Sequence, residues 1–271
     1  MGNNLVVVTP IYKKDISKDE QLSIKSAIMH LNAYDKVIVA PKKFINDEEF
    51  LTIWESYGYE VVFFDNKYFV STESYNKFMM NKEFYKKFDE YNYMLVYQLD
   101  VLVFSDTLDY WMSKQIDYVG APWIIEDEDE KRFDGAGNGG LSLRNIQTFI
   151  KVLESKKLYN KKYRFEKLHL NLKFKNIFIL WFLLHYNLTR SFSSLYRKLY
   201  DGQEDRFWAY FATFFVEEFK VATIKDSLLF AFERCPEFCF EENKHLLPFG
   251  VHAWERYNPV FWKKYQEIAS E

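Results

Sequence analysis

Asp100 stands inside an otherwise apolar run, YMLVYQLDVLVF from Tyr93 to Phe104. A carboxylate where a buried strand runs out has one plain use as a turn or helix cap and a second as a ligand for a cation or a sugar hydroxyl. Other stretches carry residues of similar promise. DGQEDRFWAYF sets Gln203, Glu204 and Asp205 before an apolar run with helical spacing at Phe207, Tyr210, Phe211 and Phe214. Acidic residues in a first helical turn suit the helix dipole, and the same placement holds a carboxylate rigidly enough to accept a proton from a hydroxyl. LPFGVHAW, Leu247 to Trp254, places His252 among apolar residues. A lone histidine is usually structural, yet imidazole and carboxylate together hold divalent metals.

Glycine marks a further stretch. GAGNGGLSLRN, Gly135 to Asn145, holds four of the chain's nine glycines. Such density lets backbone approach a neighbour closely, but the spacing fits neither the dinucleotide fingerprint nor the phosphate-binding P-loop. A pair of tight turns and a sugar-binding loop are both open readings. DYVGAPW, Asp117 to Trp123, reads as a short strand leaving through Gly120 and Pro122. The acidic run IIEDEDEKRFD after it reads as a mobile, solvated loop whose charges do no chemistry.

These residues need elements to position them, and the first hundred residues alternate strand and helix signals. NLVVVTP is a short buried strand. SKDEQLSIKSAIMHL is a helix with a Ser17 to Glu20 capping box and apolar residues at Ile24, Ala27, Ile28 and Leu31. KVIVAP is a second strand, NDEEFLTIWESYG a helix capped by Asn46 or Asp47 and stopped at Gly58, and YEVVFFD a third strand. A helical stretch around Tyr75 to Phe88 leads into Tyr93 to Phe104, whose first half matches a fourth strand. This order predicts an α/β fold with a mostly parallel central sheet flanked by helices. Ligands of such sheets sit beyond the carboxyl ends of the strands, where Asp100 would lie.

The chain has 271 residues, 48% of them apolar, and a formal net charge of −3, which suits one large domain with a sizeable core and excludes a disordered chain. Cys235 and Cys239 are its only cysteines, too few for a four-ligand zinc site, and free thiols point to a reducing compartment. The N-terminus reads as a core strand without a basic leader. The longest apolar stretch, Ile177 to Tyr186, is about half a membrane span. A cytoplasmic protein is the expectation. Residues 155–200 form a basic, aromatic-rich segment expected to be a helical insertion, suited to the inner face of the cytoplasmic membrane or to covering the domain. The acidic balance argues against a nucleic-acid partner.

The order YQLD, GAPW, GNGGLSLR, ED followed by an aromatic, and PFGVH resembles nucleotide-sugar glycosyltransferases of the GT-A fold, most closely a group of bacterial proteins with these motifs. The resemblance runs from about Leu5 to Trp254. It implies a single GT-A-like, Rossmann-related domain over 1–271. The implied activity is transfer of a sugar from a UDP- or GDP-linked donor to a hydroxyl of a glycan or lipid-linked glycan, with inversion, in capsule or lipopolysaccharide synthesis. A retaining transferase and a catalytically silent nucleotide-sugar-binding module are the alternatives.

In GT-A enzymes an Asp-x-Asp motif offers carboxylates to a divalent metal, manganese or magnesium, that bridges the donor phosphates. Here Gln98 replaces the first carboxylate, so Asp100 alone carries over, with His252 as the implied second metal ligand. The resemblance makes Asp205 the catalytic base, with Glu204 as the alternate. Thr9, Pro10, Tyr12 and Asp65 would meet the nucleoside and Gln98 a ribose or sugar hydroxyl; without a metal, Arg144 or the Lys and Arg residues of the insertion would neutralise the diphosphate. Trp123, Asn138, Gly139 and Gly140 would frame the sugar and acceptor.

Overall fold

The computed structural model describes residues 4–128, 130–155, 200 and 202–270. The expected basic helical insertion therefore lies almost wholly outside the described residues. Among the described residues, no helix is long and apolar enough to cross a membrane.

Strands β1 (Leu5–Pro10), β2 (Asp35–Pro41) and β3 (Glu60–Phe64) alternate with helices α1 (Lys18–His30) and α2 (Glu48–Ser56). The Ser17 to Glu20 capping box forms: the Ser17 hydroxyl accepts the Glu20 N–H, and the Glu20 carboxylate accepts the Ser17 N–H at 2.8 Å. Asp47, rather than Asn46, caps α2 by accepting the Phe50 N–H, and Gly58 leaves that helix with φ +76°. The expected helical stretch from Tyr75 is two helices, α3 (Thr72–Met79), which ends at its C-cap Met80, and α4 (Lys82–Lys86), which Asn81 caps.

Strand β4 (Tyr93–Tyr97) pairs in parallel with β1, and the chain then turns through Gln98 to Asp100 into β5 (Val101–Val103). After α5 (Leu108–Ser113) come β6 (Tyr118–Gly120), β7 (Pro122–Glu126), β8 (Lys131–Ala136), β9 (Leu141–Asn145) and α6 (Ile146–Glu154). The central sheet has the order β3-β2-β1-β4-β9-β6, with β9 antiparallel to both its neighbours and the other strands running one way. Later elements include α7 (Glu204–Tyr210), α8 (Ile224–Phe230), β10 (Ala231–Phe232) and β11 (Gly250–His252). Strand β11 lies between β10 and β5 in a small second sheet.

One expectation fails in part here. The two ends of the acidic stretch after Trp123 are strands of an antiparallel hairpin, β7 with β8, while Asp127, Glu128 and Glu130 lie exposed between them as expected of a solvated loop. Ile124, which is buried, faces Phe133, and Glu126 pairs with Lys131 at 3.1 Å, so apolar packing and alternating charge hold strands that the carboxylates obscure.

Alternate residues of each strand face opposite sides, so the sheet is covered on both. Leu5, Val7, Leu95 and Tyr97 pack with Ala27 of α1, Trp111 of α5 and Phe230 of α8. Val6, Val8, Met94 and Val96 pack with Phe78, Phe84, Phe149 and Trp208. The Phe149 and Trp208 rings stack with centroids 3.9 Å apart, locking α7 against α6. Removing a buried aromatic of this kind costs about 3–5 kcal/mol. That rigidity reaches the first turn of α7, where Glu204 and Asp205 sit.

Candidate functional site

The crevice beyond the carboxyl ends of β1 and β4 is a cavity of about 630 Å³. Pro10 and Tyr12 at the exit of β1, Tyr75 of α3, Gln98 and Asp100 after β4, and Glu255 all line it. Its walls bring strand ends from the main sheet next to His252 on β11 of the smaller one.

Gln98 fixes the turn after β4 from both ends. Its N–H donates to the Gly140 carbonyl at 3.0 Å, and its amide nitrogen donates to the Tyr75 hydroxyl at 3.2 Å. The amide oxygen then points at His252, 3.1 Å from Nε2. Asp100 Oδ1 lies 3.4 Å from the same nitrogen, while Nδ1 lies 3.2 Å from Glu233 Oε1. Burial alone would lower the His252 pKa, but hydrogen bonds to Asp100 and Glu233 outweigh it and push the ring up to about 10. Burial works in the opposite sense on Asp100, yet the hydrogen bond and charge of His252 hold its carboxyl below the usual range.

Asp100 Oδ1 is buried, and its contact with the His252 ring at 3.4 Å is a long one that leaves its accepting capacity largely unused. A buried carboxylate oxygen with spare accepting capacity beside an imidazole and an amide oxygen suits a hard divalent cation, which commonly takes one or two protein carboxylates and completes its shell from ligand phosphates and water. Among the described residues, no group of three or more His, Cys, Asp or Glu side chains is arranged to hold an ion. Asp100 and His252 are the side chains here that could contact a cation, with a bound phosphate ligand completing its shell.

A glycine turn joins this cluster to α7. A Cβ at Gly140 would lie 2.1 Å from His252 Nε2, and one at Gly139 would lie 2.4 Å from Glu204 Oε1 and 3.3 Å from the Asp205 Cβ. The turn thus separates His252 from the acidic pair by little more than its own backbone. Asn138 braces it, its side-chain oxygen accepting the Gly140 N–H at 3.0 Å and its amide nitrogen donating to Glu233 Oε1 at 2.9 Å.

The two acidic residues of α7 differ sharply. Glu204 is ion-paired with Arg144, Oε1 to Nη2 at 2.8 Å and Oε2 to Nη1 at 3.1 Å. Asp205 has no such partner; among the described residues it accepts the Arg206 N–H at 2.7 Å. Burial, then the neighbouring Glu204 charge, raises its carboxyl from 3.8 to about 7. One residue is a structural anion and the other is poised to exchange a proton near neutral pH.

Several expected contacts are placed otherwise. Arg144 is fully buried and its guanidinium is committed to Glu204, Tyr85, Ser142 and the Gly139 carbonyl, so it does not meet a diphosphate. The same ion pair removes Glu204 as an alternate base. Gly139 and Gly140 lie against the protein's own side chains, Glu204 and His252, which explains their small size without a ligand. Trp123 is 9% exposed, with Arg206 4.6 Å over its ring and Tyr210 tilted against it, so it offers no open face for stacking. Thr9 is wholly buried in β1, and Asp65 caps a short 3₁₀ turn by accepting the Lys67 N–H. Neither belongs to the cavity wall. Pro10, Tyr12, Gln98 and Asp100 do share it; His252 touches Gln98 and Asp100, and Asp205 lies behind the glycine turn. Glu233 was not singled out from the sequence. A polar residue directly after an apolar strand, the signal that marked Asp100, would have found it.

The fold and cleft define a mixed α/β protein with a ligand crevice at the strand ends. The chain belongs to the family described as "Protein of unknown function (DUF5672)", whose model matches residues 58–252 and so spans Gln98, Asp100, Asp205, Glu233 and His252. No curated protein matches the sequence. Among solved structures, the chain is similar to core-mannan synthase A from Aspergillus fumigatus in its Mn/GDP form, at 11% identity over 83% of this chain and 73% of that one, with a TM-score of 0.47. It is similar to mouse xyloside xylosyltransferase 1, apo form, at 8% identity over 91% and 96% of the two chains, with a TM-score of 0.46. It is also similar to the apo-form glycosyltransferase GlyE of Streptococcus pneumoniae TIGR4, at 12% identity over 98% and 62%, with a TM-score of 0.46.

Proposed function

We propose that the protein is a glycosyltransferase that moves a sugar from a UDP- or GDP-linked donor to a hydroxyl of a glycan or lipid-linked glycan acceptor, with inversion. The observation that carries this reading is the Gly139–Gly140 turn, which sets His252 beside Asp100 on one side and the proton-exchanging Asp205 on the other. Donor and acceptor chemistry are thereby brought to opposite sides of one short stretch of backbone. The motif order extends the reading to bacterial surface polysaccharide synthesis, with residues 155–200 touching the inner face of the cytoplasmic membrane.

The donor nucleotide lies in the cavity against Pro10 and Tyr12, its diphosphate toward Asp100. As the bond from the anomeric carbon to the diphosphate oxygen breaks, the electron pair leaves with the nucleoside diphosphate and the sugar gains oxocarbenium character. The acceptor oxygen forms the new bond from the opposite face, and Asp205 takes its proton. A carboxyl held near 7 suits this step, because a base is most effective when its pKa lies near the working pH. A divalent cation, manganese or magnesium, would be held by Asp100 and His252 and supplies charge neutralisation for the leaving diphosphate when bound.

The test is release of nucleoside diphosphate from a panel of UDP- and GDP-sugars with manganese, followed by NMR of the product anomer. Inverted product that depends on Asp205 is expected. Retained configuration would remove the base role of Asp205. Absence of both turnover and nucleotide binding across the panel would sink the assignment.

A further inference from the structure

We infer that Glu233 is the positioning residue of the site: it orients the His252 ring and, through Asn138, holds the glycine turn, so that one carboxylate sets both sides of the reaction centre. The inference rests on the glycosyltransferase reading for its consequence in catalysis and on the geometry alone for its structural content. Glu233 follows β10 directly, and β10 pairs in parallel with β11, which carries His252. A single oxygen, Oε1, lies 3.2 Å from His252 Nδ1 and 2.9 Å from Asn138 Nδ2. Its side chain is 13% exposed, and that of His252 12%.

An imidazole has two nitrogens, and the group bonded to one decides what the other presents. With Nδ1–H donating to Glu233, Nε2 faces two acceptors, Asp100 Oδ1 and Gln98 Oε1, and gives up its own proton when a cation takes that place. A carboxylate behind a ligating histidine fixes its tautomer and raises its basicity, and loss of such a partner typically costs about 10- to 100-fold in metal affinity. The second bond of Oε1 acts on the turn. Asn138 is held by Glu233 at its nitrogen and holds the Gly140 N–H at its oxygen, and Gly140 has room for no Cβ against the His252 ring. Losing Oε1 releases the ring and the backbone that packs against it together.

The experiment compares Glu233→Gln and Glu233→Ala with wild type. The amide oxygen of the Gln variant can accept both hydrogen bonds without the charge, so it separates position from electrostatics and is close enough in shape to fold. The first readout is the downfield proton resonance of the hydrogen-bonded His252 Nδ1–H, assigned by its loss in His252→Gln. The second is manganese affinity by electron paramagnetic resonance titration, with UDP and with GDP. We expect the resonance to persist in Glu233→Gln and vanish in Glu233→Ala. Manganese affinity should fall about 10- to 100-fold in the Ala variant and by less in the Gln variant. An unchanged resonance and unchanged manganese affinity in both variants would overturn the inference; if the Ala variant does not fold, unchanged affinity in Glu233→Gln does the same. Loss of the resonance in a protein that binds no manganese would uphold the positioning role while removing the cation from the proposed reaction.

Discussion

Asp205→Asn should make the protein more stable at alkaline pH while severely slowing transfer, and the size of the gain follows from the structure. Burial and the Glu204 charge hold the Asp205 carboxyl at about 7 against an ordinary value of 3.8. The folded chain therefore binds this proton more tightly than the unfolded chain. The stability it contributes is fully present below about pH 4 and is lost as pH rises toward 7. A difference of about 3 pH units at 1.36 kcal/mol each makes the ionised carboxylate a cost of roughly 4 kcal/mol above pH 7. Asparagine avoids that cost, because it carries no charge to desolvate. Urea unfolding of wild type and Asp205→Asn at pH 5 and pH 8 tests this. The variant should gain most at pH 8 and much less at pH 5. In parallel, wild-type kcat/KM should rise with pH through about 7, and the variant should lose about 10²- to 10⁴-fold in rate, the usual contribution of a general base. A variant no more stable than wild type at pH 8 would refute the desolvation argument, and with it the reason for assigning the proton to Asp205.

Three further substitutions probe the neighbouring groups. Glu204→Gln leaves Arg144 buried without its counter-charge and should cost about 3–5 kcal/mol of stability, read as a lower urea midpoint; a change within error would mean the pair carries no structural load. Gly140→Ala should leave the protein folded but displace the His252 ring, since its Cβ would lie 2.1 Å from Nε2, and weaken manganese binding in the presence of UDP or GDP by roughly tenfold or more. Asp100→Ala should weaken manganese-linked UDP or GDP binding by at least roughly tenfold in calorimetry, and unchanged binding would remove Asp100 from the cation's ligands.

The elements that position the site follow rules local enough to be visible in the sequence. Alternation along Leu5 to Val8 sets two faces of a strand, and Ser17 with Glu20 marks a helix start, because each rests on residues within one or two turns of chain. The β7–β8 hairpin escaped because its carboxylates, read as a count, hide the two apolar residues that face each other, Ile124 and Phe133. Asn81 likewise caps a second helix within a helical stretch in a way that apolar spacing cannot register.

Long-range partnership was the part that spacing could not supply, and it decides what each charged residue does. In the sequence Arg144 is a cation beside a glycine-rich loop, available to a diphosphate; in the fold its partner is Glu204, 60 positions away, and the pair is sealed from water. That one contact changes two assignments at once. It withdraws Arg144 from the donor, and by spending the charge of Glu204 it leaves Asp205 as the carboxyl free to move a proton. The same logic governs the glycines. Gly139 and Gly140 are small because Glu204, Asp205 and His252 must close around them, so a stretch that looks like a ligand loop is a close-packed turn between His252 and the acidic pair. With Arg144 sealed away, Asp100 and His252 stand as the proposed contacts for a cation shared with the donor phosphates, and Gln98 in place of a carboxylate makes the orientation of that histidine by Glu233 the more consequential.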